Sequence, residues 1–273
     1  MKTIMHSYTM RDFSVEEAFA HAALCGYDGI EMQRVHFNEN YLESEITTLN
    51  ALSEEHRVPI HCIGFTGSIL SDDSKEIEET MALVEKNIRL CGEHSIPIMN
   101  GFTGMLTSDT PDDWGTNGSA IAEQRHFDRC VEGLRHLTGV AEEAGVTLTL
   151  EIHMNTIHDT VSSTLALLEA VDSPRLLANP DPGNMFATSP AEQDPNALDA
   201  LKGRIGYFHF KNCRLNEGTY DYSPFLGDGD IDIAAYLNAM YESEYSGPVC
   251  IEYVGDGDAR ESAKADLAYL KSL

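Results

Sequence analysis

"VTLTLEIH", residues 146–153, is the stretch on which the fold turns. Branched and aliphatic residues run straight into a carboxylate, Glu151, and an imidazole follows two positions later at His153. On a strand, side chains two apart share a face. This is the pattern of a strand whose body sits in a core and whose tip, carrying two polar groups on one side, faces a cleft.

Other stretches read the same way: residues 3–6, 29–32, 59–65, 96–100, 175–181, 205–210 and 249–253. With 146–151 they make eight. Their near-continuous apolar character is that of parallel strands covered on both faces. Helical patterns fill the intervals. Ser14-Val-Glu-Glu17 has capping-box form, and Gly26 stands as the stop of the helix that follows. Ile77, Met81, Val84 and Ile88 recur at helical spacing, as do Leu42, Ile46 and Leu49. Ile233, Tyr236, Leu237 and Met240 give the i, i+3, i+4, i+7 stripe, and Gly247-Pro248 ends that helix. A last helical stretch runs from about residue 258 to the end.

Strands alternating with helices in this number predict an α/β fold: a (β/α)₈ TIM barrel, a single domain over residues 1–273. A doubly wound sheet is the competing architecture. It carries fewer strands as a rule, and the dinucleotide fingerprint GxGxxG after the first strand is absent. "LGDGDID" around Gly227 precedes a helix and reads as a turn.

Charge narrows the function classes. Lys and Arg number 18 against 45 Asp and Glu, a net charge of −27. A nucleic-acid binder carries a basic footprint, and an anionic membrane surface repels such a chain. Neither partner is expected. Cys25, Cys62, Cys91, Cys130, Cys213 and Cys250 form no CxxC pair and read as reduced thiols of a cytoplasmic protein. The first residues, "MKTIMHSYTM", lack the apolar run of a secretory signal, and no stretch approaches a membrane span.

In a barrel, chemistry sits where strands end and βα-loops begin. Glu151 ends the fifth strand, Asp181 the sixth and Glu252 the eighth, while the seventh carries His209. Closure of the barrel brings these ends together. Burying three carboxylates side by side costs several kcal/mol per ion, and a divalent cation is the simplest compensation. His153 faces the same cavity and is a candidate for substrate contact or proton relay. Further candidates for substrate binding are His6, Asn100, Trp114, Asn184, Lys211 and Arg214, with Glu31 at the end of the second strand. Trp114 lies in the longest irregular segment, residues 101–119, which has the length of a lid or binding loop.

The stretches "GVTLTLEIH", "LLANPDPGN", "YFHFKNCR", "LGDGDIDI" and "YSGPVCIEY" resemble the sugar-phosphate isomerase/epimerase family with the xylose isomerase-like TIM barrel. The resemblance covers essentially the whole chain. It implies one divalent metal held by Glu151, Asp181, His209 and Glu252. Ketose 3-epimerases of the group commonly have His where this chain has Asn184. Their substrate-binding Arg lies one position farther beyond the strand-seven His than Arg214 does here.

Oxygen-rich ligands with one imidazole favour Mn²⁺, with Mg²⁺, Co²⁺ or Zn²⁺ as alternatives. The implied reaction is isomerisation or epimerisation of a ketose or keto-sugar through a cis-enediolate, with Glu151 and Glu252 as acid and base. A lyase of the inosose dehydratase or C-glycoside-cleaving kind uses the same parts. An endonuclease IV-type barrel requires a His-rich zinc cluster that this chain lacks. A non-catalytic sugar-binding subunit is the remaining reading. The partner is a small sugar or polyol, and a homo-oligomer is an open expectation.

Overall fold

A computed structural model describes residues 1–110 and 113–273. Pro111 and Asp112, within the long segment after the fourth strand, lie outside the described residues. In chain order the strands are β1 (Thr3–His6), β2 (Gly29–Met32), β3 (Ile60–Phe65), β4 (Ile98–Gly101), β5 (Thr147–Glu151), β6 (Leu176–Asn179), β7 (Phe208–Phe210), β8 (Arg214–Asn216), β9 (Thr219–Asp221) and β10 (Val249–Ile251). The helices are α1 (Val15–Cys25), α2 (Leu42–His56), α3 (Ser74–Glu93), α4 (Gln124–Ala144), α5 (Val161–Val171), α6 (Pro182–Thr188), α7 (Ile233–Glu242) and α8 (Ala259–Ser272).

Eight strands form one parallel sheet in the order β6-β5-β4-β3-β2-β1-β10-β7. The seam between β6 and β7 is joined by a single bridge, Ala178 to Ile205. Ala178 N–H donates to the Arg204 carbonyl at 2.8 Å, and Gly206 N–H to the Ala178 carbonyl at 2.9 Å. The barrel is therefore nearly closed. Gly206 is needed there, because a Cβ on it would stand 2.7 Å from the Leu177 Cβ.

The sixth and seventh strands are shorter than the sequence predicts. Pro180 and Pro182 have no N–H to give a ladder, and Asp181 caps α6 instead, accepting from the N–H groups of Gly183 and Asn184. The predicted box at Ser14 forms, with Glu17 answering it, and Gly26 closes α1 at φ 84°. The antiparallel β8–β9 hairpin was not expected, since its strands are only three residues each and mostly polar.

Inside the barrel, Ile4, Cys62, Ile98, Tyr207 and Cys250 pack as a separate buried cluster. Two residues onward along their strands stand His6, Asn100, His209 and Glu252. Alternation on each strand thus stacks a polar layer directly above an apolar plug.

Candidate active site

The polar layer starts at Asn100. Its Nδ2 donates to Glu151 Oε2 at 3.0 Å, and its Oδ1 accepts from Thr149 Oγ1 at 2.9 Å and from Asn179 Nδ2 at 3.0 Å. Asn184, one turn into α6, gives Nδ2 to Glu151 Oε1 at 2.8 Å and to Asp181 Oδ2 at 3.0 Å. Both oxygens of Glu151 are thereby oriented by amides.

Lys211 reaches the same centre. Its Nζ lies 2.9 Å from Glu252 Oε2 and 3.0 Å from Asp181 Oδ2. Burial opposes a charge on this amine, but Asp181 and Glu252 outweigh it and keep the ammonium. His6 stands beside them, 3.4 Å from Glu252 Oε1 and 3.6 Å from Glu31 Oε1.

Glu151, Asp181, His209 and Glu252 bring one donor atom each to within 4.8 Å of one another, all of them buried. His209 supplies the test of whether a cation fits. Its Nε2 lies 3.0 Å from Glu31 Oε2 and takes that carboxylate as its hydrogen-bond partner. The other nitrogen, Nδ1, is buried without a hydrogen-bond partner and faces Glu151 Oε2 across 3.6 Å. An orphaned imidazole nitrogen aimed at a carboxylate cluster is a metal donor with its tautomer already set by the group behind it. The oxygen-rich set fits a divalent cation.

Proton affinities in the cluster are pushed apart. Burial raises Glu151 to about 7, helped by Glu252 and Asp181 and opposed by His209. Burial would raise Glu252 too, but Lys211 holds its carboxyl well below the ordinary range. Glu31 is held at about 2 against its burial by His209 and His6. His209 goes the other way: Glu31 and Glu151 overcome burial and lift it to about 10. The centre thus favours positive charge at the point where Nδ1 of His209 meets Glu151.

His153 is set differently. Its Nδ1 lies 2.8 Å from the Met154 carbonyl, which can only accept, so Nδ1 carries the hydrogen and Nε2 is bare. Burial pushes this ring down to about 4, so it is neutral. Phe102 packs against it with ring centroids 4.6 Å apart.

A cavity of about 340 Å³ opens above the cluster. Glu151, His153, Asn184, Lys211, Glu252 and His6 form its polar side; Phe102, Trp114, Met154, Tyr222 and Val254 form its apolar side. Three sequence candidates stand elsewhere. Glu31 is buried behind His209, bonded to its Nε2, and does not line the cavity. Asn100 is buried beneath Glu151 and acts on it rather than lining the cavity. Arg214 lies exposed on β8, bonded to the Asp228 carbonyl, because the chain turns away into the hairpin after Cys213.

Sequence reading passed over His158. Its Nδ1 donates to the Glu151 carbonyl at 2.7 Å, and its Nε2 accepts from Thr103 N–H at 3.4 Å. It ties the end of β5 to the loop after β4. Asn179 was also missed, although its place two residues before Asp181 puts it on the inward face.

Comparison with known proteins agrees with this architecture. The chain is 28% identical over 203 residues to 3-dehydroshikimate dehydratase of Bacillus anthracis, a match covering 73% of this chain and 66% of that protein. It is 24% identical over 267 residues to a probable L-ribulose-5-phosphate 3-epimerase of Mycoplasma pneumoniae, covering 97% of this chain and 78% of that one. Among solved structures, D-allulose 3-epimerase from Methylomonas sp. in complex with D-allulose superposes with a TM-score of 0.80 at 19% identity, covering 100% of this chain and 96% of that one. The model of the xylose isomerase-like TIM barrel family matches residues 19–273, and the chain belongs to that family.

Proposed function

We propose that this protein is a divalent-metal-dependent isomerase or epimerase of a ketose or keto-sugar. The observation that carries the reading is the buried set Glu151, Asp181, His209 and Glu252, with the orphaned Nδ1 of His209 at its centre. Mn²⁺ or Mg²⁺ suits these donors best. Bound there, the cation supplies Lewis acidity to a neighbouring ketone and alkoxide.

The remaining work falls to the side chains. Glu151 and Glu252 reach the cavity from the ends of different strands. One takes the proton from the carbon beside the ketone, and the other returns one from the opposite face. Lys211 and Asn184 hold hydroxyls, and the Phe102 and Trp114 wall keeps water from the enediolate. Relatives named as epimerases support the assignment.

One observation favours a second reading. The neutral His153 offers a bare Nε2 to the cavity, a further base able to take the proton beside the ketone and hand that proton on to a departing β-hydroxyl, which leaves as water. That is lyase chemistry, and it is in keeping with the relative named as a dehydratase.

Solvent deuterium uptake at the carbon beside the ketone tests both readings, since either reaction breaks that C–H bond. Chelation abolishes uptake and added Mn²⁺ restores it. Glu252→Gln lowers it by about 10²–10⁴-fold. Unchanged uptake in that variant rejects the mechanism. Loss of water from a keto-inositol, set against epimer formation from a ketose, separates lyase from epimerase.

A further inference from the structure

Trp114 borders two spaces at once. One is the reaction cavity of about 340 Å³. The other is an outer groove of about 820 Å³ between the 113–116 turn, the end of α6 and the β8–β9 hairpin. Both volumes fall in the range of small-ligand sites, roughly 300–1,000 Å³.

The hairpin explains the division. Tyr220 and Tyr222 are two apart and share a face. Tyr220 lines the outer groove, Tyr222 lines the cavity, and the Trp114 ring contacts both, with centroids at 5.6 Å and 6.5 Å. Tyr222 is further anchored by its hydroxyl to the Gly183 carbonyl at 3.1 Å. The indole thus stands at the edge common to the two spaces, with Tyr220 on the groove and Tyr222 on the cavity.

The groove's chemistry selects its ligand. Among the described residues it is lined by no Lys, Arg or His, and Asp113 is its one charged side chain. A phosphate or carboxylate finds no counter-charge there. Thr116, Thr188, Ser189 and Thr219 line it beside the two aromatic rings, with the Thr116 and Thr188 hydroxyls donating to the Asp113 and Asn184 carbonyls. Aromatic faces with neutral hydroxyls match the C–H faces and hydroxyls of a sugar ring.

We infer that the outer groove is a second ring-binding subsite. It takes an uncharged sugar ring joined to the keto-sugar that reacts inside. The inference rests on the keto-sugar reading of the cavity and extends it from one ring to two.

The chain has one tryptophan, so its intrinsic tryptophan fluorescence reports the edge that the two spaces share. Mn²⁺-loaded protein is titrated with D-fructose, a one-ring ketose, and with isomaltulose and maltulose, two-ring ketoses. A two-ring sugar is expected to bind about tenfold more tightly than fructose, the order expected of one added apolar contact surface. Thr219→Tyr and Thr116→Tyr place bulk in the groove from exposed positions and are expected to bring the affinity ratio down to about one. A wild-type ratio of about one, or a ratio that neither variant changes, overturns the subsite. Solvent deuterium uptake decides the other question. Uptake without ring preference rejects the subsite alone, and preference without uptake rejects the reaction alone.

Discussion

Nε2 of His209 lies 3.0 Å from Oε2 of Glu31, and both side chains are fully buried. Glu31 does not line the reaction cavity, yet it determines which nitrogen of His209 is free. Glu31→Gln keeps the shape and an acceptor oxygen but removes the charge that makes the imidazole a strong donor. Mn²⁺ affinity by calorimetry is expected to fall about 10- to 100-fold. An unchanged affinity removes Glu31 from the account.

His153 is tested by how kinetic constants divide. If its bare Nε2 moves a proton, His153→Gln lowers kcat by about 10²–10⁴-fold with little change in KM. A rise in KM alone assigns it to substrate binding. The measurement is steady-state turnover on the substrate that passes the deuterium test.

His158 bonds two backbone groups in the interior. His158→Leu removes its bonds to the Glu151 carbonyl and the Thr103 N–H. Urea unfolding is expected to show a loss of about 2–4 kcal/mol. His158→Gln, which keeps a donor and an acceptor, recovers part of that. Equal losses for the two variants point to lost packing instead.

Asp266 carries the pH prediction. Its Oδ1 accepts from Leu226 N–H at 2.6 Å, and burial lifts its carboxyl to about 7, with Asp228 adding to the rise. The folded state therefore holds a proton that the unfolded chain has released. Stability falls as pH rises from about 4, the unfolded value, to about 7, and the loss is complete above that. Asp266→Asn keeps the acceptor and cannot ionise. It is expected to be about 1–3 kcal/mol more stable than the parent at pH 8 and closer to it at pH 5. A constant difference across that range contradicts the assignment.

The strands were legible because they are short apolar runs with a polar residue at or next to the end of several of them. Ile4 with His6, Ile98 with Asn100, Tyr207 with His209 and Cys250 with Glu252 are successive inward positions. Positions at and near the strand ends made Glu151, Asp181, His209 and Glu252 candidates in the sequence, and the structure brings one donor atom of each to within 4.8 Å of the others. Positions past the strands were harder to read. Arg214 and Lys211 are three residues apart on one segment, yet the hairpin carries one outward while the other stays in the cavity. Chain direction after β7 depends on Asn212, which holds the Leu226 and Ile231 carbonyls from 14 and 19 residues away. No local pattern announces a bond of that range. His158 hid for the same reason, since it joins Thr103 on the loop after β4 to Glu151 at the end of β5.

The plug of Ile4, Cys62, Ile98, Tyr207 and Cys250 also settles the traffic of molecules. A barrel sealed at one end is a cul-de-sac. Under the proposed reaction, reactant and product use the same door, so each turnover must empty the chamber before the next begins. A polymer cannot thread through it. If the ligand is a sugar chain, the enzyme meets it at a terminus, acts on the last unit and lets go.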